Sequence, residues 1–435
     1  MATNRSSASA PDGAAPRRAA GRLPAWTALA CGVGLIVAVL AGLGWRSWRE
    51  GRDRDFLAAC QAASARRDWP RLGRLAAEWA ADSPGSAAAW LSLAEAAVEL
   101  GRPAEAAAFL DRIPDRDPRA VPALLARVDL LFLDVGRPLE AVATCDRILK
   151  IDPSRFEPHQ KLAFFHAVTL QRSRLAEEAR RTLAARCDTP ETYVYLVGSQ
   201  WLTLSNTQSM NEGWLRHDPD NELFLVAAAC GVPDIVPDIV QDPVQDPVAD
   251  DGPPAADGAD RDPASVEAEA GRMGRLSRLL ERFPSNPELL AVFIQRAITK
   301  GDVDEVVRLL ARAPAAAATD CRFWRFKGWV HAIRGELAES EVALSKALEI
   351  DPFDQASQHD RAAVVRKAGR PEAAARWAEL ADIGRGLRRE ILQQPDIRSI
   401  SPALLERVAD YAEKCGHKEI ADRLRETIRA ARSAT

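Results

Sequence analysis

Apolar positions recur every three to four residues along most of the chain, the spacing that places them on one face of an α-helix. Three stretches show the pattern most clearly; they begin at Ala87, Ala123 and Cys321, and each contains two amphipathic segments separated by a glycine. The motif Gly-Arg-Pro-x-Glu-Ala occurs at Gly101–Ala106 and again at Gly136–Ala141. The pattern therefore predicts pairs of antiparallel helices that recur about every 34 residues.

The residues between these helices have backbone preferences that fit this interpretation. Four glycines can adopt the left-handed conformation that ends a first helix: Gly101, Gly136, Gly335 and Gly369. Three prolines suit the first turn of a second helix, where no amide donor is needed: Pro103, Pro138 and Pro371. Three Asp-Pro pairs are predicted to end the second helix: 117–118, 152–153 and 351–352.

Residue size indicates how the helices pack. The pairs Ala94 with Ala106 and Gly328 with Ser340 are small enough for two helices of a hairpin to approach closely. Larger residues are predicted to fill the space between hairpins: Trp90, Leu93, Leu110 and Trp324. A single hairpin cannot bury such a face, so neighbouring hairpins must stack into a solenoid.

These positions resemble the tetratricopeptide repeat (TPR), which has a bulky residue at position 4, small residues at 8 and 20, glycine near 15 and proline at 32. Two repeats fit throughout: Trp90, Ala94, Gly101, Ala106 and Pro118, then Trp324, Gly328, Gly335, Ser340 and Pro352. The repeat from Pro122 departs at Asp129. Looser copies lie near 53–86, 159–190, 288–320 and 355–390, and the segment 191–219 matches poorly.

The resemblance implies an all-α chain whose helical hairpins stack into a superhelical solenoid with a concave, protein-binding groove. It also implies a bacterial-type, non-catalytic scaffold. We expect N-terminal repeats over 53–231, C-terminal repeats over 264–395 and a capping hairpin over 401–433. The solvent-exposed outer face of that hairpin is expected to carry Asp410, Glu413, Arg423, Arg425, Glu426 and Arg429.

Residues 26–45, from Trp26 to Trp45, contain no charged side chain. Twenty helical residues reach about 30 Å, the thickness of the hydrocarbon core of a bilayer. We therefore predict one transmembrane helix after an Arg-containing, disordered tail at 1–25. A signal peptide cleaved after Ala41 and an organelle transit peptide remain alternatives. Arginines flank both ends, so orientation is weakly determined; we expect a bacterial inner-membrane protein with its soluble part outside the cytoplasm.

A low-complexity stretch at 232–263 interrupts the repeats. It contains nine aspartates and one arginine, a net charge of -8, within a chain whose net charge is -4. Proline every few residues opposes both helix and sheet. We interpret it as a disordered acidic insertion and a solvated linker.

The sequence contains no phosphate-binding loop, nucleophile elbow or metalloprotease motif. Its seven cysteines and six histidines are widely spaced, and none forms a metal-ligand pattern. His166 and His331 occupy packing positions. We therefore predict no enzyme activity, no cofactor, no metal and no small-molecule substrate, and the slightly negative net charge argues against nucleic acid. The alternative to a scaffold is a non-catalytic accessory or assembly subunit of a separate membrane enzyme or secretion complex.

The resemblance places partner proteins or peptides against the first helix of each hairpin. In the C-terminal repeats those positions become basic and aromatic. The predicted strip consists of Arg296, Lys300, Arg322, Arg325, Trp329, Arg366 and Lys367. Arginine and tryptophan are common binding hot spots. The strip is expected to prefer acidic, extended ligands, including the acidic insertion of the chain itself.

Overall fold

The computed structural model describes residues 48–231, 263–394 and 400–434. Over these residues the chain forms twenty helices and no strand, which confirms the all-α prediction for that part of the chain. The predicted tail, transmembrane helix and acidic insertion lie outside the described residues, apart from Pro263, where a helix begins. Among the helices that the structure describes, none combines the length and the apolar composition that crossing a bilayer requires.

The described residues divide into two compact units, with the boundary between Ser92 and Leu93. The first unit contains α1 (residues 48–65), α2 (Trp69–Asp82) and the start of α3 (Ala87–Glu99). Its centre is Trp79, whose ring stacks on Phe56 with 6.1 Å between centroids. The indole N–H of Trp79 donates to Asp53 Oδ1 over 2.6 Å. This contact fixes α1 against α2.

The second unit continues as successive helical hairpins. Its first helices after α3 are α4 (Pro103–Asp111), α5 (Ala120–Asp129, extended by a π-helical turn over Leu130–Asp134), α6 (Pro138–Ile151), α7 (Phe156–Val168), α8 (Arg172–Ala184), α9 (Pro190–Gly198), α10 (Thr207–Leu215) and α11 (Glu222–Cys230). A core of buried aromatic and aliphatic side chains, with Phe132, Phe165, Trp214 and Phe224 at its centre, joins α5, α7, α10 and α11.

The remaining helices follow residue 262. They are α12 (Pro263–Arg282), α13 (Pro287–Thr299), α14 (Val303–Leu310), a short 3₁₀ turn (Ala315–Thr319), α15 (Cys321–Ile333), α16 (Leu337–Ile350), α17 (Gln355–Lys367), α18 (Pro371–Leu392), α19 (Pro402–Lys414) and α20 (Lys418–Ala434). Within each of the pairs α13–α14, α15–α16 and α17–α18 the two helices contact each other. This is the hairpin arrangement that the sequence predicts.

The turn predictions are confirmed at the glycines. Gly101, Gly136, Gly335 and Gly369 have φ values of 71°, 70°, 78° and 76°, in the left-handed region. Asp152 and Asp351 cap the ends of α6 and α16, as predicted. The Asp-Pro pair at 117–118 is an exception, because α4 already ends at Asp111 and Pro114 follows within the next turn.

Gly328 and Ser340 meet where α15 crosses α16. The Ser340 hydroxyl donates to the carbonyl oxygen of Gly328 over 2.7 Å. A Cβ atom added to Gly328 would lie 2.8 Å from Leu344 Cγ. The predicted close approach at this pair of small residues is therefore confirmed.

We expect Gly328→Ala to lower the free energy of unfolding by about 1–3 kcal/mol, because the new methyl group must displace packed atoms. Gly386→Ala is the matched control, since a Cβ atom there would meet no atom within 4 Å. Helix propensity should make that control more stable by about 0.5–1 kcal/mol. Urea unfolding of both variants measures the difference, and equal stability of the two would contradict the close approach.

Trp90 and Trp324, which are predicted to fill the space between hairpins, are both half-buried, and that role stays a prediction. The Trp90 indole N–H donates to the carbonyl oxygen of Pro84 over 2.8 Å, and that of Trp324 donates to Ala318 over 3.0 Å. Gln358 makes the equivalent bond to Pro352 over 2.8 Å. In all three cases the acceptor is a backbone carbonyl oxygen six residues earlier. The side chain at position 4 of the repeat therefore bonds to the loop that precedes the first helix of its hairpin.

The poorly matching segment 191–219 begins with α9, which packs against α19 and α20. Asp188, just before α9, accepts hydrogen bonds from Tyr193 Oη over 2.6 Å, Arg423 Nε over 2.6 Å and Thr427 Oγ1 over 3.1 Å. Arg423 therefore contacts the segment just before α9 rather than lying on the outer face of the last hairpin as predicted. Contacts between residues so distant in sequence are not those of a simple nearest-neighbour solenoid.

Candidate functional site

The N-caps of α13, α15 and α17 fix which residues of these helices are equivalent. Asn286, Asp320 and Asp354 each precede their helix and accept a hydrogen bond from a backbone N–H of its first turn. Counted from these caps, Gln295 is equivalent to Trp329. Arg296, the residue of α13 that the predicted strip contains, is one residue further along this helix.

Arg325 connects the three first helices. Its Nη2 atom donates to Gln295 Oε1 of α13 over 2.8 Å, and its Nη1 atom lies 3.8 Å from Asp360 Oδ2 of α17. Its guanidinium carbon is 5.0 Å from the centroid of the Phe326 ring. The side chain is only 12% exposed, so its position is well defined by these contacts.

Trp329 lies one helical turn after Arg325. Its half-buried ring packs against a core cluster that includes Phe326 and Val330. Within the described residues, the indole N–H of Trp329 and the Nε–H of Arg325 are both buried without a hydrogen-bond acceptor. A buried donor without an acceptor costs about 1–3 kcal/mol, so each of these two donors lowers the stability of the fold.

Arg322 belongs to a buried ion-pair network. Its guanidinium binds both oxygens of Glu288 over 2.5 and 3.0 Å and Asp320 Oδ2 over 2.7 Å, and Arg172 Nε of α8 lies 3.5 Å from Glu288. Burial by itself would lower the pKa of Arg322, but Asp320 and Glu288 outweigh it and hold that pKa well above its ordinary value. This guanidinium is occupied within the fold, so it is not open to a ligand.

The other basic residues of the predicted strip lie elsewhere. Arg296 and Lys300 line a cleft of about 370 Å³ together with side chains of α12 and α14. Arg366 and Lys367 are exposed at the end of α17. The structure therefore brings Arg325 and Trp329 together with Gln295 and Asp360, but it does not join all seven residues into one strip.

The histidines show one contact that sequence spacing misses. His159 of α7 and Glu178 of α8 are both buried, with 2.5 Å between Nδ1 and Oε1. The two residues are 19 apart and become neighbours only when the hairpin closes. His166 is buried as predicted, and burial lowers its pKa to about 4. Within the described residues, no three His, Cys, Asp or Glu side chains are grouped as metal ligands.

Comparison with protein families gives one match. Residues 73–128 match the tetratricopeptide repeat. The matched region extends from α2 into α5 and contains the first of the two repeats that fit the TPR pattern throughout. Curated proteins provide no significant match to the chain.

Several solved helical structures are similar to the chain at low identity. The human IFIT1 dimer with PPP-AAAA is 13% identical, with 86% of this chain and 89% of that chain covered and a TM-score of 0.29. The APC/C hetero-tetramer Cut9-Hcn1 is 11% identical, with coverages of 87% and 78% and a TM-score of 0.31. Naa15/Naa10 bound to HypK-THB is 14% identical, with coverages of 84% and 58% and a TM-score of 0.27. Because these TM-scores are low, the ligands and partners named for those proteins are not carried over to this chain.

Proposed function

We propose that the chain is a non-catalytic, TPR-type scaffold that binds extended segments of partner proteins across α13, α15 and α17. The observation that carries the proposal is the pairing of Arg325 with Trp329. Arg325 is held by Gln295 and Asp360, and Trp329, one turn later on the same helix, is only half-buried. An extended peptide can pack an apolar or aromatic side chain against the accessible part of the Trp329 ring.

The two side chains suit this role for different reasons. Trp329 presents a large ring that needs little ordering on binding, and Arg325 is already ordered by its two partners. Such residues dominate the energy of many interfaces. Asp360 compensates part of the charge of Arg325, so the ligand need not be strongly acidic at this point.

The test measures partner binding to the full chain in detergent. Partners captured by wild type are identified by mass spectrometry, and the affinity of each is then measured for the variants. Trp329→Ala should weaken binding at least tenfold, which corresponds to about 1.4 kcal/mol. Trp329→Phe keeps an aromatic ring at this position, so it should retain more affinity than Trp329→Ala.

Arg334→Glu is the matched control, because Arg334 is exposed and caps the same helix. It should bind partners as wild type does. If Trp329→Ala, Arg325→Glu and the control all retain wild-type affinity, binding does not take place at this face and the proposal is wrong.

We also propose that residues 26–45 anchor the chain in a membrane. The uncharged run between Trp26 and Trp45 supports this, since its length matches a bilayer core. The full chain should stay in the membrane fraction through alkaline carbonate washing, and deletion of residues 1–45 should release it. Recovery of the intact chain in the soluble fraction, or a mature N-terminus at Gly42, would contradict the anchor.

A further inference from the structure

A second cleft, of about 480 Å³, lies between α16 and α18. Arg361 of α17 and the turn between α19 and α20 complete its lining. Arg325 and Trp329 are not among the lining residues, so this cleft is separate from the face assigned above.

Arg361 carries a positive charge that the fold compensates only in part. Its guanidinium carbon lies 4.3 Å from the centroid of the Trp377 ring. Glu341 is 3.8 Å away, and Glu341 also pairs with Arg370. The Nε–H of Arg361 is buried without an acceptor in the part of the chain that the structure describes. Burial lowers the pKa of Arg361, although a guanidinium remains charged at neutral pH.

The rest of the cleft adds to this positive charge. Arg376 lines it, is exposed and has no ion pair among the described residues. Lys414 also lines it and pairs with Glu379 over 2.5 Å. Glu349 is the acidic side chain of the lining, and it already pairs with Lys346 over 2.8 Å. The cleft is therefore cationic, and the guanidinium groups of Arg361 and Arg376 can each bind an anionic group of a ligand.

Its walls are largely apolar. Leu348 of α16, Leu380 of α18 and the ring of Trp377 line the space next to the two arginines. A small inorganic anion would leave these side chains in contact with water. A ligand that joins a carboxylate to a neighbouring apolar side chain would use both features, because guanidinium groups bind carboxylates in a bidentate manner and apolar walls bind apolar side chains.

We propose that this cleft binds an acidic peptide segment in which carboxylate and apolar side chains alternate. One carboxylate pairs with Arg361 and Arg376, and the adjacent apolar side chain lies between Leu348 and Leu380. The site goes beyond the proposed function, because it uses different side chains and selects for charge. A partner could occupy both sites, or either one alone.

The test uses a fluorescein-labelled hexapeptide amide of alternating glutamate and leucine, and an analogue in which glutamine replaces each glutamate. Fluorescence anisotropy with the full chain in detergent measures the affinity of both. The acidic peptide should bind, and the neutral analogue should bind at least tenfold more weakly. Arg361→Gln and Arg376→Glu should each weaken the acidic peptide at least tenfold. Arg376 is exposed, so its variant tests the site even if Arg361→Gln fails to fold.

Two further measurements separate this cleft from the face across α13, α15 and α17, and peptide binding from phosphate binding. Trp329→Ala should bind the acidic peptide as wild type does, so loss of this site and loss of the face across α13, α15 and α17 can be told apart. Sodium phosphate and sodium chloride at equal ionic strength should weaken binding equally. The proposal is overturned if Arg376→Glu binds like wild type, if the neutral peptide binds equally well, or if phosphate competes specifically.

Discussion

Replacing Arg322 by methionine should lower the free energy of unfolding by about 3–5 kcal/mol, the cost of breaking a buried ion pair on one side. The loss arises because the substitution leaves two buried carboxylates without their cationic partner. Glu288 and Asp320 would keep their negative charges at positions that are 14% and 8% exposed, without the guanidinium that binds both. Arg172 contacts Glu288 only at 3.5 Å, so it cannot replace Arg322 without moving.

Urea unfolding of the variant measures this loss, and two comparisons locate its cause. Arg308→Met removes an exposed arginine that pairs with Glu305, and it should change stability little. Adding Glu288→Gln to Arg322→Met should restore part of the lost stability, because it removes one uncompensated carboxylate. A loss as small as that of Arg308→Met would show that water reaches the network and compensates the carboxylates.

The turns within the hairpins could be predicted because they depend on one residue each. Glycine tolerates the left-handed conformation, so the four predicted glycines mark their turns correctly. The turn between α7 and α8 has no such signal, because Leu170 adopts a φ of 56° there. Its side chain is 3% exposed, and burial of that side chain offsets the cost of the backbone conformation. A preference set by tertiary packing cannot be derived from local sequence.

The candidate face could be predicted in part. Arg325 and Trp329 share one helical face because they are four residues apart, and the structure keeps them together. The predicted strip contains Arg296, whereas the residue equivalent to Trp329 is Gln295, one residue earlier. The Asn-Pro pair at 286–287 is a recognisable helix start that fixes the correct register. Arg322 could not be assigned from sequence, since one of its neighbours, Arg172, belongs to a helix 150 residues away.

Asp351 is a second residue whose environment depends on distant segments. It is almost completely buried and accepts hydrogen bonds from Ser199 Oγ over 3.1 Å and from the backbone N–H of Phe353 over 3.0 Å. Ser199 follows α9, so this contact also holds the end of α9 against the loop before α17. Burial, and then the neighbouring charge of Asp354, raise the pKa of Asp351 from 3.8 to about 6.

Stability should therefore fall as pH rises through about 6. Between the ordinary pKa of 3.8 and the folded value, the folded chain holds a proton that the unfolded chain has released. That proton stabilises the fold below the unfolded pKa, and the stabilisation is lost as the folded group ionises. The shift corresponds to a loss on the order of 3 kcal/mol between pH 4 and pH 8. Asp351→Asn cannot ionise, so it should not show this loss. Its amide oxygen can accept from the Phe353 N–H, and its NH2 group can donate to Ser199 Oγ in place of the bond that Asp351 accepts.

Urea unfolding of wild type and Asp351→Asn between pH 4 and pH 8 tests this. Other groups also titrate in this range, including His417, whose pKa is lowered by burial and by Arg180. They affect both proteins, so the informative quantity is the difference in unfolding free energy between wild type and variant at each pH. We expect the variant to gain relative to wild type as pH rises, with most of the change complete above pH 6, because only wild type must then bury an ionised carboxylate next to Asp354. A difference that stays constant with pH would mean that Asp351 ionises in the folded chain at its ordinary pKa, and it would contradict this prediction.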